Sequence, residues 1–157
     1  LGHKDPNQAR QALRQLAKLE DLITALYPDM PFVCKDLMQT AQNRVKAYID
    51  SCRYFNPSNN HFISRAIKNE GFKLTANPRS NDITVNYIEQ TNTTKSKDGL
   101  YMSSGLATIR LTSNNLKEDL KTDSFKFYAP NPNDAEKRLA ARLGLETEKI
   151  LIDYFNR

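Results

Sequence analysis

Apolar positions in the first third of the chain recur at steps of three and four, the spacing of one face of a helix. Over residues 7–27 the stripe is Ala9, Ala12, Leu13, Leu16, Leu19, Leu22, Ile23 and Leu26. Asp5 and Pro6 start this helix, because proline is tolerated in a first turn, and the run Tyr27 to Pro31 ends it. Such a stripe serves core packing before it serves a partner. Residues 35–54 repeat the pattern, with Leu37, Met38, Ala41, Val45, Tyr48, Ile49 and Cys52 on one face, and Phe55 to Ser58 close it.

From residue 59 the period changes. Phe62, Ile63, Ala66 and Ile67 keep helical spacing with Arg65 and Lys68 on the other side, and Glu70 and Gly71 break the helix. Asn59 or Asn60 is its expected N-cap. Phe72, Leu74, Ile83, Val85 and Tyr87 then alternate with polar residues, as half-buried strands do, and residues 77–82 supply a turn. The stretch therefore predicts a short basic helix followed by a two-stranded hairpin over 72–89. Residues 90–99, QTNTTKSKDG, lack apolar periodicity and predict a surface loop. Two strands follow over 100–103 and 106–111 with Ser104 and Gly105 as a turn, then a helical turn over 116–120 and a strand at Phe125, Phe127 and Tyr128. A helix over 134–143 is interrupted by Gly144 and resumes over 146–155. The fold class expected is α+β: helices at both ends, a winged-helix-like centre with a small antiparallel sheet, and a C-terminal helical hairpin. The chain forms either one domain over 1–157 or a unit over 1–89 with an extension over 90–157.

Charge concentrates on the same centre. The formal net charge of the whole chain is +5, and all of it lies within residues 41–80; residues 1–40, 81–115 and 116–157 each balance to zero. Local cationic excess is what phosphate contact requires, since counterion release drives non-specific affinity. Arg44, Lys46, Arg53, Arg65, Lys68, Lys73 and Arg79 are the cations available. Asn60, Ser64, Arg65, Lys68 and Asn69 are the groups placed to meet base edges, and Arg79 sits where a hairpin tip reaches a minor groove. His61, just ahead of the helix, either touches phosphate or simply caps and packs.

The pattern of Phe62, Ala66, Ile67, Lys68, Gly71 and Phe72 resembles the winged-helix modules of plasmid and phage replication proteins, where a helix of the form F-x-x-x-L-K-x-x-G-F leads into the first wing strand. The resemblance covers residues 59–89 and implies DNA as partner, with a helix in the major groove and a wing on the backbone. A second resemblance lies over 134–157, whose spacing is similar to the second and third helices of homeodomain-like helix-turn-helix folds. Asp153 stands where those folds bury an aromatic and the segment from 116 carries no net charge, so a hairpin that packs or dimerises is preferred there.

Other chemistries are poorly supplied. The five glycines are scattered, so no phosphate cradle forms, and no nucleophile elbow appears. Asp82 and Glu89 with Lys95 or Lys97 lack the close acidic-x-basic strand pattern of a metal-dependent nuclease. The two cysteines, Cys34 and Cys52, and two histidines, His3 and His61, are too dispersed for a four-ligand metal site. Buried thiols in a reducing compartment are expected, with a disulfide left open. No cofactor and no catalysis are expected. The N-terminal LGHKDPNQAR has neither a basic leader nor an apolar signal region, and no apolar run reaches the ~20 residues of a membrane span. The chain begins without methionine, as a processed product or a piece of a longer protein would. These features predict a cytoplasmic, nucleoid or nuclear DNA-binding protein in replication or transcription regulation, with no membrane partner. The competing expectation is a protein-interaction or assembly domain using residues 9–26 or 134–155, without nucleic acid.

Overall fold

The computed structural model describes residues 6–29 and 32–157, with the side chains of residues 32–34 outside the description. The expectations for His3, Asp5, Met30, Pro31 and the Cys34 thiol therefore lie outside the described residues. The chain divides into two compact units, residues 1–52 with Arg157 and residues 53–156. The described residues are α+β, with four helices and a six-stranded mixed sheet.

In the first unit, α1 (Pro6–Leu26) and α2 (Phe32–Ser51) pack on each other, and Gln42 donates to Glu20 at 2.6 Å. The α1 stripe is divided: Ala9 is buried and Leu13, Leu16 and Ile23 are half-buried, while Leu19, Leu22 and Leu26 are exposed. The second helix stops earlier than its apolar spacing predicts. Residues 53–55 form a strand instead, and the Cys52 thiol donates to the Tyr48 carbonyl at 3.2 Å.

The second unit holds the sheet. Strand β1 (Arg53–Phe55) runs through α3 (His61–Asn69) into β2 (Lys73–Leu74), and β1 and β2 are parallel neighbours, as a helical crossover requires. Strand β3 (Ile83–Lys95) lies parallel to β1 on its other side, with Tyr54 opposite Ile83. The expected hairpin over 72–89 is therefore absent, because β2 and β3 are separated by β1. Arg53 explains part of this arrangement. Its guanidinium donates bidentately to Asp82 at 3.1 and 2.6 Å, and the Arg79 N–H adds a bond of 2.7 Å to the same carboxylate. These bonds fasten the start of β1 to the turn that enters β3.

Residues 90–95 continue β3, where a loop is expected from the lack of apolar period. Threonines 91, 93 and 94 suit a strand, and the antiparallel partner β4 (Tyr101–Thr112) pairs with the whole length, from Thr84 opposite Thr112 to Lys95 opposite Tyr101. Asp98 and Gly99 turn the chain between them, with Gly99 at φ 81°. The predicted turn at Ser104 and Gly105 is likewise unbroken strand. Gly105 is needed for close approach: a Cβ there would lie 2.7 Å from Thr91 Cα and closer still to the Gln90 carbonyl oxygen. The other edge of β4 is shared, β6 (Phe125–Ala129) pairing with residues 101–105 and β5 (Lys117–Lys121) with residues 108–112. Residues 117–121 are thus extended rather than helical, and the Arg110–Asp119 pair, at 2.8 and 2.9 Å, helps set their register.

Alternation places Ile83, Val85, Ala107, Ile109 and Leu111 on one face, all buried. Helix α4 (Pro132–Phe155) packs over that face, with Leu139 and Leu143 against Ala107, and α3 packs against β2 and α4, with Ile63, Ala66 and Ile67 buried. Tyr54, Phe72 and Phe155 form an aromatic cluster with ring centroids 5.0–5.6 Å apart. Helix α4 passes unbroken through Gly144, so no helix-turn-helix exists at 134–157. Gly144 faces the ring of Phe62, and a Cβ there would fall well inside van der Waals contact; it lets α3 and α4 touch. Most apolar residues of 134–155 are spent on this core, Leu145 being exposed, and the segment is one helix rather than a hairpin.

Two outcomes follow from these contacts. In Gly105→Ala the obstacle is backbone, which cannot swing aside, so the substitution should cost about 1–3 kcal/mol, read as a lower midpoint in urea unfolding. The hydrogen bond from Arg53, aided by the Arg79 N–H against the opposing effect of burial, holds the Asp82 carboxyl below its ordinary 3.8. A carboxylate with a depressed folded-state pKa stabilises above its unfolded pKa and loses that contribution as pH falls through the folded value. Asp82→Asn should therefore be less stable than the parent at about pH 7, with the gap narrowing by about pH 3 in paired unfolding curves.

Candidate functional site at an open strand edge

The side chains expected to meet nucleic acid are not gathered as a winged helix would gather them. Arg65 donates bidentately to Glu148 of α4 and stacks over Phe62 at 5.3 Å. Arg53 is bound to Asp82. Asn60 caps α3, accepting from the N–H groups of Phe62 and Ile63 at 3.0 and 3.3 Å, and Ser64 accepts from Asn56 at 3.0 Å. Lys68 and Asn69 are exposed at the end of α3, where Lys68 complements the helix dipole. Lys73 is exposed on β2, Arg79 lies in the turn that holds Asp82, and Arg44 belongs to the other unit. These nine side chains serve capping, pairing and solvation, and no wing stands beside α3.

The residues weighed for a metal-dependent nuclease make structural contacts. Asp82 is held by Arg53, and Glu89 accepts from the Tyr87 hydroxyl at 2.8 Å. Among the described residues, no group of three His, Cys, Asp or Glu side chains is placed to hold a metal ion.

The feature left after this accounting is an edge. Along β4 the partners β6 and β5 leave a gap at residues 106 and 107, and Thr122 fills it: its N–H donates to the Ala107 carbonyl and its hydroxyl accepts from the Ala107 N–H, both at 2.9 Å. Strand β3 has no such cover. Beyond Ile83 and Thr84, which pair with β1, the outer edge of β3 from Val85 to Lys95 has no strand beside it among the described residues. Every second residue of that stretch therefore aims its N–H and C=O outward, and an extended edge of this kind templates pairing with another chain.

A cleft of about 440 Å³ runs beside the edge on its helical side, between β3 and α4. Glu89, Thr93 and Ser103 line it from the sheet and Glu136 and Ala140 from the helix. Thr93 donates to the buried Ser103 hydroxyl at 3.1 Å. Burial, and then the hydrogen bond to Glu89 with its charge, push the Tyr87 phenol up, so it stays protonated and keeps orienting Glu89. Neither Glu89 nor Glu136 meets a cation among the described residues. A second cleft, about 420 Å³, opens at the ends of β1 and β2, and within it Asn56 donates to Ser64 while accepting from Ser58 beside it. The signal for the edge lay in the threonine run followed by Asp98-Gly99, a hairpin dipeptide; Glu148, 83 residues from Arg65, left no local signal.

No family model matches the chain, and no curated protein matches it. Among solved structures it is similar to a minor lipoprotein from Acinetobacter baumannii, at 10% identity and TM-score 0.34, covering 69% of this chain and 88% of that one. It is also similar to the rare lipoprotein B of Shewanella oneidensis, at 6% identity and TM-score 0.33 over 68% of this chain and 88% of that one. A third, an uncharacterized lipoprotein B from Nitrosomonas europaea, has 13% identity and TM-score 0.30 over 67% and 77% of the two chains. These three are lipoproteins rather than winged-helix replication modules. The missing wing and the unbroken α4 overturn the winged-helix and helix-turn-helix resemblances, and with them go DNA as partner, a role in replication or transcription regulation, and the cytoplasmic or nucleoid location that followed from DNA binding. Among the described residues no helix is long and apolar enough to cross a membrane; the expectation of no membrane partner belonged to the DNA-binding reading and is withdrawn with it.

Proposed function

We propose that the chain is a non-catalytic protein-interaction domain that takes up an extended polypeptide segment along the outer edge of β3. The open ladder from Val85 to Lys95 carries this reading. Strand addition draws its affinity from main-chain hydrogen bonds, each worth a net ~0.5–1.5 kcal/mol, and its selectivity from side chains that alternate between the two faces. Edges that are not used are ordinarily blunted by proline, bulges, charges or short length. Here the stretch has no proline and its only charges are Glu89 and Lys95. Gln90, Thr91, Asn92, Thr93 and Thr94 keep the edge soluble while unpaired and leave its hydrogen-bonding groups accessible. The non-catalytic part rests on how the acidic and basic groups are used, with Asp82 and Arg65 committed to structural pairs.

Peptides selected from a random library on the immobilised chain, then titrated as labelled ligands by fluorescence anisotropy, test the reading. Thr91→Pro and Asn92→Pro form a matched pair, because neighbouring residues of a strand aim their N–H groups to opposite sides. One of the two removes an outward donor without touching the β3–β4 ladder. That variant should keep its circular dichroism spectrum and bind at least about tenfold more weakly. Unchanged binding by both folded variants would remove β3 from the interface.

A further inference from the structure

We propose that the strand accepted by β3 is the β3 of a second copy of this chain, paired antiparallel about a two-fold axis at Asn92. The proposal rests on the reading of β3 as an interaction edge and adds a partner and a register. Residues directly opposite in an antiparallel pair share one face of the sheet, so a two-fold axis normal to the sheet passes through a residue position. Centred at Asn92, Glu89 stands opposite Lys95 of the second copy, Thr91 opposite Thr93, Gln90 opposite Thr94, and Asn92 opposite itself. Symmetry gives the Glu89–Lys95 pair twice, on the helical side of both copies. Opposite charges and threonine pairs are favourable cross-strand neighbours.

Adjacent registers lose this match. A centre at Thr91 sets Glu89 against Thr93, and a centre at Thr93 sets it against Lys97, which lies beyond the end of β3. A centre at Glu89 puts like charges together. The cleft between β3 and α4 supports the same register. It presents Glu89 and Glu136 with no cation in its lining, and Lys95 of the second copy enters beside Glu89 with Glu136 in front of it. Within one copy the Lys95 ammonium lies 5.7 Å from the Tyr101 ring centre, on that same helical side.

Sedimentation velocity of the full chain over a range of concentrations, at low salt, tests the proposal. The parent should show a concentration-dependent dimer. Glu89→Lys and Lys95→Glu should each weaken dimerisation at least about tenfold, since each sets like charges opposite one another twice. The double variant Glu89→Lys with Lys95→Glu should restore most of the lost affinity. Both positions are exposed, so each variant should keep the parent's circular dichroism spectrum. Mild oxidation of Asn92→Cys should yield a disulfide-linked dimer, and Gln90→Cys, which faces Thr94, should not. A parent that stays monomeric, or a dimer indifferent to the single swaps, overturns the second-copy register. If that monomer still binds selected peptides along β3, the edge reading survives alone; if it binds none, both fall.

Discussion

The pairing of β3 with β4 is the constraint on which the second unit depends. Each flanking strand is placed by one of the two: β1 by the first residues of β3, β5 and β6 by the two halves of β4. Gly105 stands where the outer neighbour of β4 changes from β6 toward β5, and the close approach of Gln90 and Thr91 at that point leaves no space for a side chain. Helix α4 then packs over the buried residues that this register brings to one face, with Ala107 against Leu139 and Leu143. Moving β4 by one residue would turn Ala107, Ile109 and Leu111 to the opposite face and leave α4 with a polar surface beneath it.

Much of the helical structure was legible from apolar spacing. Helix α3 shows why: of Phe62, Ile63, Ala66 and Ile67, which the period assigns to one face, the last three are fully buried and Phe62 is half-buried. Helix α4 was read as two pieces because glycine lowers helix propensity by ~1 kcal/mol. That local cost is outweighed by packing, for Gly144 is the position at which α4 meets the ring of Phe62. The distal half of β3 was missed for the opposite reason. Residues 90–95 bury little, so they carry no apolar alternation, and their extended shape comes from the backbone ladder with β4. A strand that keeps one side for solvent and one edge open looks like a loop in hydropathy alone.

Charge misled in a different way. The excess over residues 41–80 is a property of the sequence window, whereas screening and pairing act in space. Arg65 finds Glu148 from a segment of zero net charge, and Arg53 finds Asp82 just outside the window. A basic stretch becomes a basic face only if the fold withholds carboxylates from it, and this fold supplies them. The winged-helix pattern failed with the same physics. Its apolar signature, Phe62 through Phe72, is that of any short helix packed over a sheet. The step that separates the two architectures is whether the following strands pair with each other or flank a third, and that is a matter of long-range pairing, which Arg53 and Asp82 help to hold, rather than of the signature.

The composition of the open edge follows from its two states. Unpaired, residues 90–94 must be wettable, which threonine, asparagine and glutamine satisfy. Paired, they must hold an extended conformation at low entropic cost, and β-branched threonine is already restricted at χ1. An apolar edge would meet only the second requirement and aggregate; a run of lysines would meet only the first. Charge is confined to Glu89 and Lys95, at the two ends of the polar run, where it selects among registers without blocking the ladder between them. Selectivity at such an edge comes from the spacing of its charges, and affinity from the backbone, so the two can be varied independently.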